Sequence, residues 1–237
     1  MSDSVYIIGV GMIKFGKYLE KGVKDLTGEA LDLVLKDSDL KQEDIEAAWF
    51  SNCSWGIYDF QHCIRGQVAL TANGLDKIPI INVENACASA STALHSGWMA
   101  IKAGVYDCVL AIGVEKQYHE DRKKVMQGFI AGTDVEETTQ LIEAFKKQQK
   151  EKKEKEAADK KAKSEKPGGH SVFMDFYAMG ARWHMKQYGT TQRQLAAIAA
   201  KAHNNSTLNP LAQYTFPMTV EQVVEDREVA FPLTRAM

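Results

Sequence analysis

The stretch from Ile80 to Gly104, IINVENACASASTALHSGWMAIKAG, changes its hydrophobic period part-way along. Its first four residues form a short apolar run of the kind found in buried strands. Further on, four residues recur at helical spacing and predict one apolar helix face: Ala90, Leu94, Trp98 and Ile101. Gly104 then provides a helix stop. The stretch therefore predicts a buried strand that turns directly into a helix.

Similar alternations surround this stretch within the first 115 residues. Three further apolar runs predict strands: Val5–Gly9, Ala47–Asn52 and Cys108–Val114. Two segments between them have helical spacing, one at 64–71 and one with an apolar face of four residues: Leu26, Ala30, Leu33 and Val34. Strands that alternate with helices predict an α/β fold with a mixed, mostly parallel sheet flanked by helices.

The pattern becomes helical after residue 116. Residues 145–166 contain ten lysines and five acids, which is typical of an exposed helix or a disordered insert. Aromatic residues recur at helical spacing over 172–188, and Thr191 with Gln194 forms a capping box for another helix. The inner face of that helix is predicted from four residues: Leu195, Ile198, Ala199 and Ala202.

Composition excludes several classes of protein. The 237 residues carry a net charge of −2 and are 45% apolar, as in ordinary globular chains, so a basic nucleic-acid-binding surface is not expected. No apolar run reaches the roughly 20 residues of a membrane helix, and the N-terminus has no basic segment before its short apolar run. We therefore expect a cytoplasmic chain without membrane or nucleic-acid partners.

Cys87 lies where the predicted strand gives way to the predicted helix. The unpaired N–H groups and dipole of a helix start stabilise an anion, and the thiolate is the nucleophilic form of cysteine. The Cys87 backbone N–H is also placed to stabilise a tetrahedral oxyanion. A buried structural thiol is the alternative for Cys87, and core or interface positions are expected for Cys53, Cys63 and Cys108.

Four ordered segments resemble the thiolase superfamily, especially the sterol-carrier-protein-type thiolases. The nucleophile motif is matched by VENACASASTAL at 83–94, and the N-terminus by VYIIGVGMIKFG at 5–16. LAIGVEK at 110–116 is the third match, and QYGTTQRQL at 187–195 with LNPLAQY at 208–214 is the fourth. The resemblance runs from residue 5 to about residue 235, apart from the lysine-rich insert.

This resemblance implies an acyl-CoA acyltransferase in which Cys87 forms an acyl-enzyme, with coenzyme A as a substrate and neither a metal nor another cofactor. It implies an N-terminal thiolase half at 1–116, a loop domain covering the active site and holding CoA at 117–225, and a lead-in to a second half at 226–237. Met179 matches the position of a methionine near the acyl group, although core packing is the alternative for it. A homodimer, or a hetero-oligomer with a complementary subunit, is the implied assembly.

Two departures from the family pattern stand out. Ala90 replaces the glycine that usually follows three residues after the nucleophile, and the second half, which brings the catalytic His and a second Cys, is missing. His95 cannot replace that base, because eight helical residues separate it from Cys87 by roughly 12 Å.

Three other interpretations are kept in view. One is a ketoacyl-synthase-like condensing enzyme that uses an acyl carrier protein. Another is a non-catalytic partial chain that scaffolds a partner subunit. A dinucleotide loop after Gly9 is disfavoured, since Lys14 breaks the G-x-G-x-x-G pattern.

Overall fold

The computed structural model describes residues 4–144, 147 and 172–237. The chain divides into two compact units, residues 1–138 and 139–237. Apart from Lys147, the lysine-rich insert at 145–166 lies outside the described residues. The predicted domain limits at 116 and 225 stay a prediction.

The first unit contains three strands and five helices within its described residues. The strands are β1 (Ala47–Ser51), β2 (Ile80–Val83) and β3 (Val109–Gly113). The helices are α1 (Val23–Ser38), α2 (Trp55–Asp59), α3 (Arg65–Thr71), α4 (Ser89–Lys102) and α5 (Arg122–Ile130). Single 3₁₀ turns cover Gln42–Asp44 and Ala86–Ala88. A further helix, α6, begins at residue 135 and is described to residue 144.

The three strands form a parallel sheet in the order β2-β1-β3. Ser51 in β1 pairs with Val83 in β2 and with Gly113 in β3, so all three strands end at the same edge. All five residues of β1 are buried, as expected of a central strand covered on both faces.

Helices cover both faces of this sheet. On one face Phe50 and Leu110 pack into a core with Leu31 of α1 and Leu70 of α3. On the other face Ala47, Trp49 and Val83 pack against Ala93 of α4. The predicted α/β class, with a parallel sheet flanked by helices, is confirmed.

The predicted apolar face of α1 is confirmed for Leu26, Ala30 and Val34 but wrong for Leu33, and the predicted face of α4 is wrong. In α1, Leu31 is fully buried whereas Leu33 is 39% exposed. In α4, three small residues pack against the sheet: Ser89, Ala93 and Gly97. Small side chains let the helix approach closely, and a Cβ atom on Gly97 would lie 3.2 Å from Val109 Cγ2. The predicted face of α4 is turned away, with Leu94 52% and Trp98 45% exposed and Ala90 exposed as well.

The segment Val5–Gly9 is not a strand, contrary to the sequence prediction. Tyr6 and Ile7 are each 72% exposed and Ile8 is 59% exposed. Within the described residues the sheet beside this segment ends at β3. An apolar run forms a buried strand only when a neighbouring strand takes up its backbone groups, and none does so here in the described chain.

The second unit is mainly helical in its described part. It contains α7 (Val172–Tyr188), α8 (Gln192–Ser206) and α9 (Val220–Glu225), followed by the antiparallel strands β4 (Glu228–Ala230) and β5 (Leu233–Thr234). The predicted capping box is confirmed, since the Thr191 side chain accepts a hydrogen bond from Gln194 N–H.

The inner face of α8 differs from the prediction. Ala196 and Ala200 are buried against Val223 of α9, whereas Ile198 is 68% exposed and Ala202 is exposed. The small alanines permit close packing of the two helices, which outweighs the larger apolar side chain on the neighbouring face. None of the described helices combines the length and apolar character needed to cross a bilayer.

Candidate active site at the carboxyl edge of the sheet

Three chain segments leave the sheet at its carboxyl edge, which is where open α/β folds bind ligands. β1 continues into Asn52 and Cys53, β2 into Glu84 and the turn before α4, and β3 into Val114 and Glu115. The Asn52 side chain joins two of these segments, because its Nδ2 donates to the Val114 carbonyl at 2.7 Å. Its Oδ1 accepts from Trp55 N–H at 3.1 Å and so also fixes the start of α2.

Cys87 lies in the 3₁₀ turn Ala86–Ala88, two residues before α4 begins, and it is exposed. The sequence prediction of its location, between a strand and a helix start, is confirmed. The accessible position of the thiol does not match the alternative of a buried structural cysteine. Its role as nucleophile stays a prediction.

The turn around Cys87 is held by side chains of the same motif. Ser89 Oγ accepts from Asn85 N–H at 2.8 Å and donates to the Ala86 carbonyl at 2.8 Å. Glu84 Oε1 accepts from Ala86 N–H at 2.7 Å. Asn85 Nδ2 donates to Thr92 Oγ1 at 2.9 Å, which ties the turn to the first helical turns of α4. Ser89 is buried, so its two bonds are protected from water.

These bonds leave one backbone donor in the turn unused. Among the described residues, the N–H groups of Asn85, Ala86, Ala88 and Ser89 all have acceptors within the protein, but that of Cys87 has none. Ala86 adopts a φ of 44°, in the left-handed region that non-glycine residues avoid. Residues in such conformations cluster at functional sites, and here the next residue is Cys87, whose N–H is free.

Cys53 occupies the corresponding turn after β1 and lies close enough to Cys87 for the two thiols to interact electrostatically. Burial, together with smaller contributions from Glu115, Glu84 and Cys87, raises the pKa of the Cys53 thiol to about 12. The Glu115 carboxylate accepts from the N–H groups of Cys53 and Ser54 and from Ser54 Oγ. Cys53 is therefore a protonated thiol at neutral pH, unlike a catalytic thiolate.

Glu115 also affects the aromatic side chain beneath it. Burial raises the pKa of Tyr58, and the charge of Glu115 and a Cys53 thiolate raise it further. Tyr58 Oη donates to Gln117 Oε1 at 3.3 Å and its ring stacks on His119 with a centroid distance of 6.5 Å.

Two further residues named from the sequence are His95, which is excluded as the base, and Met179, which is predicted to lie near the acyl group. His95 is exposed and stacks on Trp98 at a centroid distance of 5.7 Å. Met179 is 52% exposed on α7, in the second unit, so its role near an acyl group stays a prediction. In the described ranges 4–144 and 172–237, no three His, Cys, Asp or Glu side chains are grouped closely enough to hold a metal ion.

Sequence reasoning missed the contributions of Glu84, Ser89 and Glu115. All three lie inside the quoted segments 83–94 and 110–116. The signal available was chemical, because carboxylates and hydroxyls near a strand end bind free backbone N–H groups. Which N–H group each side chain reaches depends on the sheet register.

The family model for "Thiolase, N-terminal domain" matches residues 5–230. This chain belongs to the thiolase family. The identification extends over both units and confirms the resemblance in the four sequence segments, including the motif that contains Cys87.

Curated relatives agree with that membership, and a solved structure shares the fold. An acetyl-CoA acetyltransferase of Methanothermobacter thermautotrophicus is 35% identical over 229 residues, which are 97% of this chain and 52% of the relative. Sterol carrier protein 2 of Gallus gallus is 32% identical, over 97% of this chain and 38% of its own length. A solved structure titled "Ltp2-ChsH2(DUF35) aldolase" shares the fold with a TM-score of 0.59 at 18% identity, over 97% of this chain and 50% of that chain. The chain spans about half or less of the length of these two relatives and of that solved chain.

Proposed function

We propose that this chain carries the nucleophile of an acyl-CoA acyltransferase of the thiolase type, with Cys87 as the residue that is acylated. The observation that carries the proposal is the exposed Cys87 with its own N–H unpaired at the start of α4. Relatives at 32–35% identity that bear the name acetyl-CoA acetyltransferase support the reaction class.

The proposed substrate is a 3-oxoacyl-CoA. The Cys87 thiolate attacks the C3 carbonyl carbon and forms a carbon–sulfur bond, and the carbonyl oxygen becomes an oxyanion that the Cys87 N–H can stabilise. Collapse of this intermediate breaks the C2–C3 bond. The acyl group stays on sulfur, and the acetyl-CoA carbanion takes a proton from an acid.

The second half-reaction transfers the acyl group to coenzyme A. A base removes the proton of the CoA thiol, the CoA sulfur attacks the acyl-Cys87 carbonyl, and the Cys87 thiolate leaves. Run in reverse, the same steps form 3-oxoacyl-CoA by condensation. Coenzyme A thus serves as substrate and no further cofactor takes part.

The acid and base of this scheme are proposed to come from outside the described chain. Within the described part of the first unit, His62 contacts Phe60 and His95 stacks on Trp98. His119 stacks on Tyr58 and accepts from the Asp121 N–H. Cys87 is absent from these described contacts. We therefore propose that a partner chain or a continuation of the polypeptide brings these groups, within a homodimer or a hetero-oligomer that acts on acyl-CoA in the cytoplasm. Met179 is proposed as a contact of the acyl group.

Intact-mass analysis after incubation with acetyl-CoA tests the nucleophile. We expect one acetyl adduct on the wild-type chain, none on Cys87→Ala, and an unchanged adduct on Cys63→Ala. Cys63 is the matched control because it is exposed in the same unit. An adduct that persists in Cys87→Ala would refute the assignment.

If neither protein is labelled, the same assay is repeated with the chain fused to the unmatched part of the Methanothermobacter relative. Labelling that appears only in this longer chain, and only with Cys87 present, supports a nucleophile that needs its partner. Absence of labelling there favours the scaffold role.

A further inference from the structure

The peptide unit that joins Ala86 to Cys87 carries the backbone donor that the turn leaves unbonded within the described residues. A trans peptide unit is planar, so its carbonyl and its N–H point in opposite directions. The Ala86 carbonyl accepts from Ser89 N–H and, at 2.8 Å, from Ser89 Oγ. Because this carbonyl points toward the buried Ser89 at the start of α4, the Cys87 N–H points away from Ser89.

The conformation of Ala86 sets the angle between this peptide unit and the preceding one. Its φ of 44° is left-handed, which is unfavourable for a residue that has a Cβ atom. A return of Ala86 to a negative φ would rotate the two peptide units relative to each other. The direction of the Cys87 N–H therefore depends on the groups that hold both units in place.

Glu84 holds the preceding peptide unit, which joins Asn85 to Ala86. Glu84 Oε1 accepts from Ala86 N–H at 2.7 Å, and the Asn85 carbonyl at the other end of the unit accepts from Ala88 N–H at 2.9 Å. A hydrogen bond from an N–H group to a carboxylate is stronger than one between neutral groups. The bond to Glu84 therefore offsets part of the cost of the left-handed conformation of Ala86.

The amide that Glu84 bonds matters because a nearby carboxylate can also occupy the N–H of a cysteine. Glu115 does so after β1, where it accepts from the Cys53 N–H. By accepting from Ala86 N–H instead, Glu84 leaves the Cys87 N–H free and fixes the peptide unit beside it. No second acceptor for Ala86 N–H is found in the part of the chain that the structure describes. Removal of the Glu84 carboxylate would therefore leave this amide to water.

We propose that Glu84 is a positioning residue for acyl transfer at Cys87. Its bond to Ala86 N–H keeps Ala86 left-handed and so directs the free Cys87 N–H toward the place where the substrate carbonyl oxygen becomes an oxyanion. A donor stabilises that charge fully only when it is oriented before the reaction. Because such a donor is needed only if an oxyanion forms at Cys87, this role rests on the proposed function.

A direct effect of the Glu84 charge is the alternative to positioning. The pKa of Cys53 is raised mainly by burial and in part by the Glu84 charge, so this carboxylate acts across the carboxyl edge of the sheet. Its negative charge would oppose an oxyanion at Cys87, because like charges repel. Glutamine distinguishes the two roles, since it keeps an oxygen that can accept from Ala86 N–H but carries no charge.

Two reactions of Cys87 separate the direction of its N–H from the state of its thiol. Acetylation by acetyl-CoA passes through a tetrahedral oxyanion. Alkylation by iodoacetamide displaces iodide from a saturated carbon and forms no oxyanion. A misdirected N–H therefore slows acetylation alone, whereas a general loosening of the turn slows both reactions. Both rates are measured by mass spectrometry on the chain in which wild-type Cys87 is acetylated, either unfused or fused to the unmatched part of the Methanothermobacter relative.

We expect Glu84→Ala to slow acetylation of Cys87 by at least about tenfold and to change its alkylation by less than about threefold. Glu84→Gln should recover at least about fivefold of the lost acetylation rate, because its Oε1 can still accept from Ala86 N–H. Glu120→Ala, at an exposed position in the same unit, is the matched control and should change neither rate. Ser89→Ala removes two bonds of the turn and should slow both reactions.

Several outcomes would overturn the role of Glu84 while leaving Cys87 as the nucleophile, with circular dichroism confirming that each variant folds. One is equal acetylation of Glu84→Ala and the wild type. Another is equal slowing of acetylation and alkylation in Glu84→Ala, because Glu84 would then only support the turn. A third is acetylation of Glu84→Gln as slow as that of Glu84→Ala, because the charge would then matter and not the bond. Absence of acetylation of the wild type in both the unfused and the fused chain would instead refute the proposed function, and the positioning role with it.

Discussion

The turns that follow β1 and β2 occupy equivalent places in the sheet, and each contains a cysteine and a nearby carboxylate. After β1, Glu115 accepts from the Cys53 N–H, and burial with this negative charge raises the pKa of the thiol to about 12. After β2, Glu84 accepts from the N–H of Ala86 instead, so the Cys87 N–H stays unpaired and its side chain is exposed. The two turns therefore differ in the burial of the thiol, in the charge beside it and in whether the cysteine N–H is bonded, and these differences separate an inert thiol from a candidate nucleophile.

The largest expected difference between the two turns is in thiol reactivity. At pH 8, a pKa of about 12 leaves Cys53 roughly one part in 10⁴ ionised. We expect iodoacetamide to alkylate Cys87 at least about a hundredfold faster than Cys53, as followed by peptide mass spectrometry. Exposed Cys63 serves as an internal control for accessibility. Equal alkylation rates of Cys53 and Cys87 would contradict the expected difference in reactivity between the two thiols.

Ser89→Ala tests whether the Ser89 hydrogen bonds stabilise the turn after β2, which contains Cys87. The substitution leaves the Asn85 N–H without its acceptor and removes a donor from the Ala86 carbonyl. We expect the free energy of unfolding to fall by about 1–3 kcal/mol in urea titrations, with slower alkylation of Cys87. Ser91→Ala, at an exposed position on the same helix, is the control and should change stability by less than about 0.5 kcal/mol. An equal loss of stability in Ser91→Ala would mean that the Ser89 hydrogen bonds do not cause the loss in Ser89→Ala.

Glu115→Gln tests why the Cys53 thiol, in the turn after β1, is unreactive. Burial is the largest cause of the raised Cys53 pKa and the Glu115 charge the next, so neutral glutamine should lower that pKa without restoring the ordinary value. Alkylation of Cys53 at pH 9–10 should then accelerate by about tenfold. The rate for Cys87 and the effect of Glu120→Gln provide controls, and no acceleration would contradict the assigned role of Glu115.

The raised pKa of Cys53 also makes the stability of the folded chain depend on pH. Because its folded-state pKa lies above the ordinary value of 9.0, the unfolded chain loses the proton first as pH rises. The Cys53 contribution is therefore complete below about pH 9 and declines towards pH 12. Wild-type stability should fall more steeply over this range than that of Cys53→Ala, as measured by urea unfolding at each pH.

The smallest effect is expected at the strained residue before Cys87. Ala86→Gly relieves a left-handed conformation at φ 44°, so we expect stability to rise by up to about 1 kcal/mol. Ala90→Gly, at an exposed position in the first turn of α4, should instead lower it by about 0.5–1 kcal/mol. Thermal unfolding distinguishes the two signs, and a loss of stability in both variants would refute strain at Ala86.

Hydrophobic period alone predicted most of the elements in the first unit. The strand at 80–83, the helix at 64–71 and the strand–turn–helix passage around Cys87 follow from local patterns, since a period of two or 3.6 residues depends only on neighbouring side chains. The motif segments likewise predicted the family, which the match over residues 5–230 confirms.

Packing partners determined which surfaces are buried, which the hydrophobic period does not predict. Leu94 and Trp98 have core-like spacing but are about half exposed, because the small residues Ala93 and Gly97 approach the sheet more closely. Val5–Gly9 has the composition of a strand but lacks a paired neighbour in the described chain. Which amide Glu115 reaches was equally beyond the sequence, since that depends on the register of β1 against β3, a relation between residues more than 60 positions apart. Local patterns fix which segments extend or coil, whereas long-range register and available partners fix which surfaces are buried and which donors remain free.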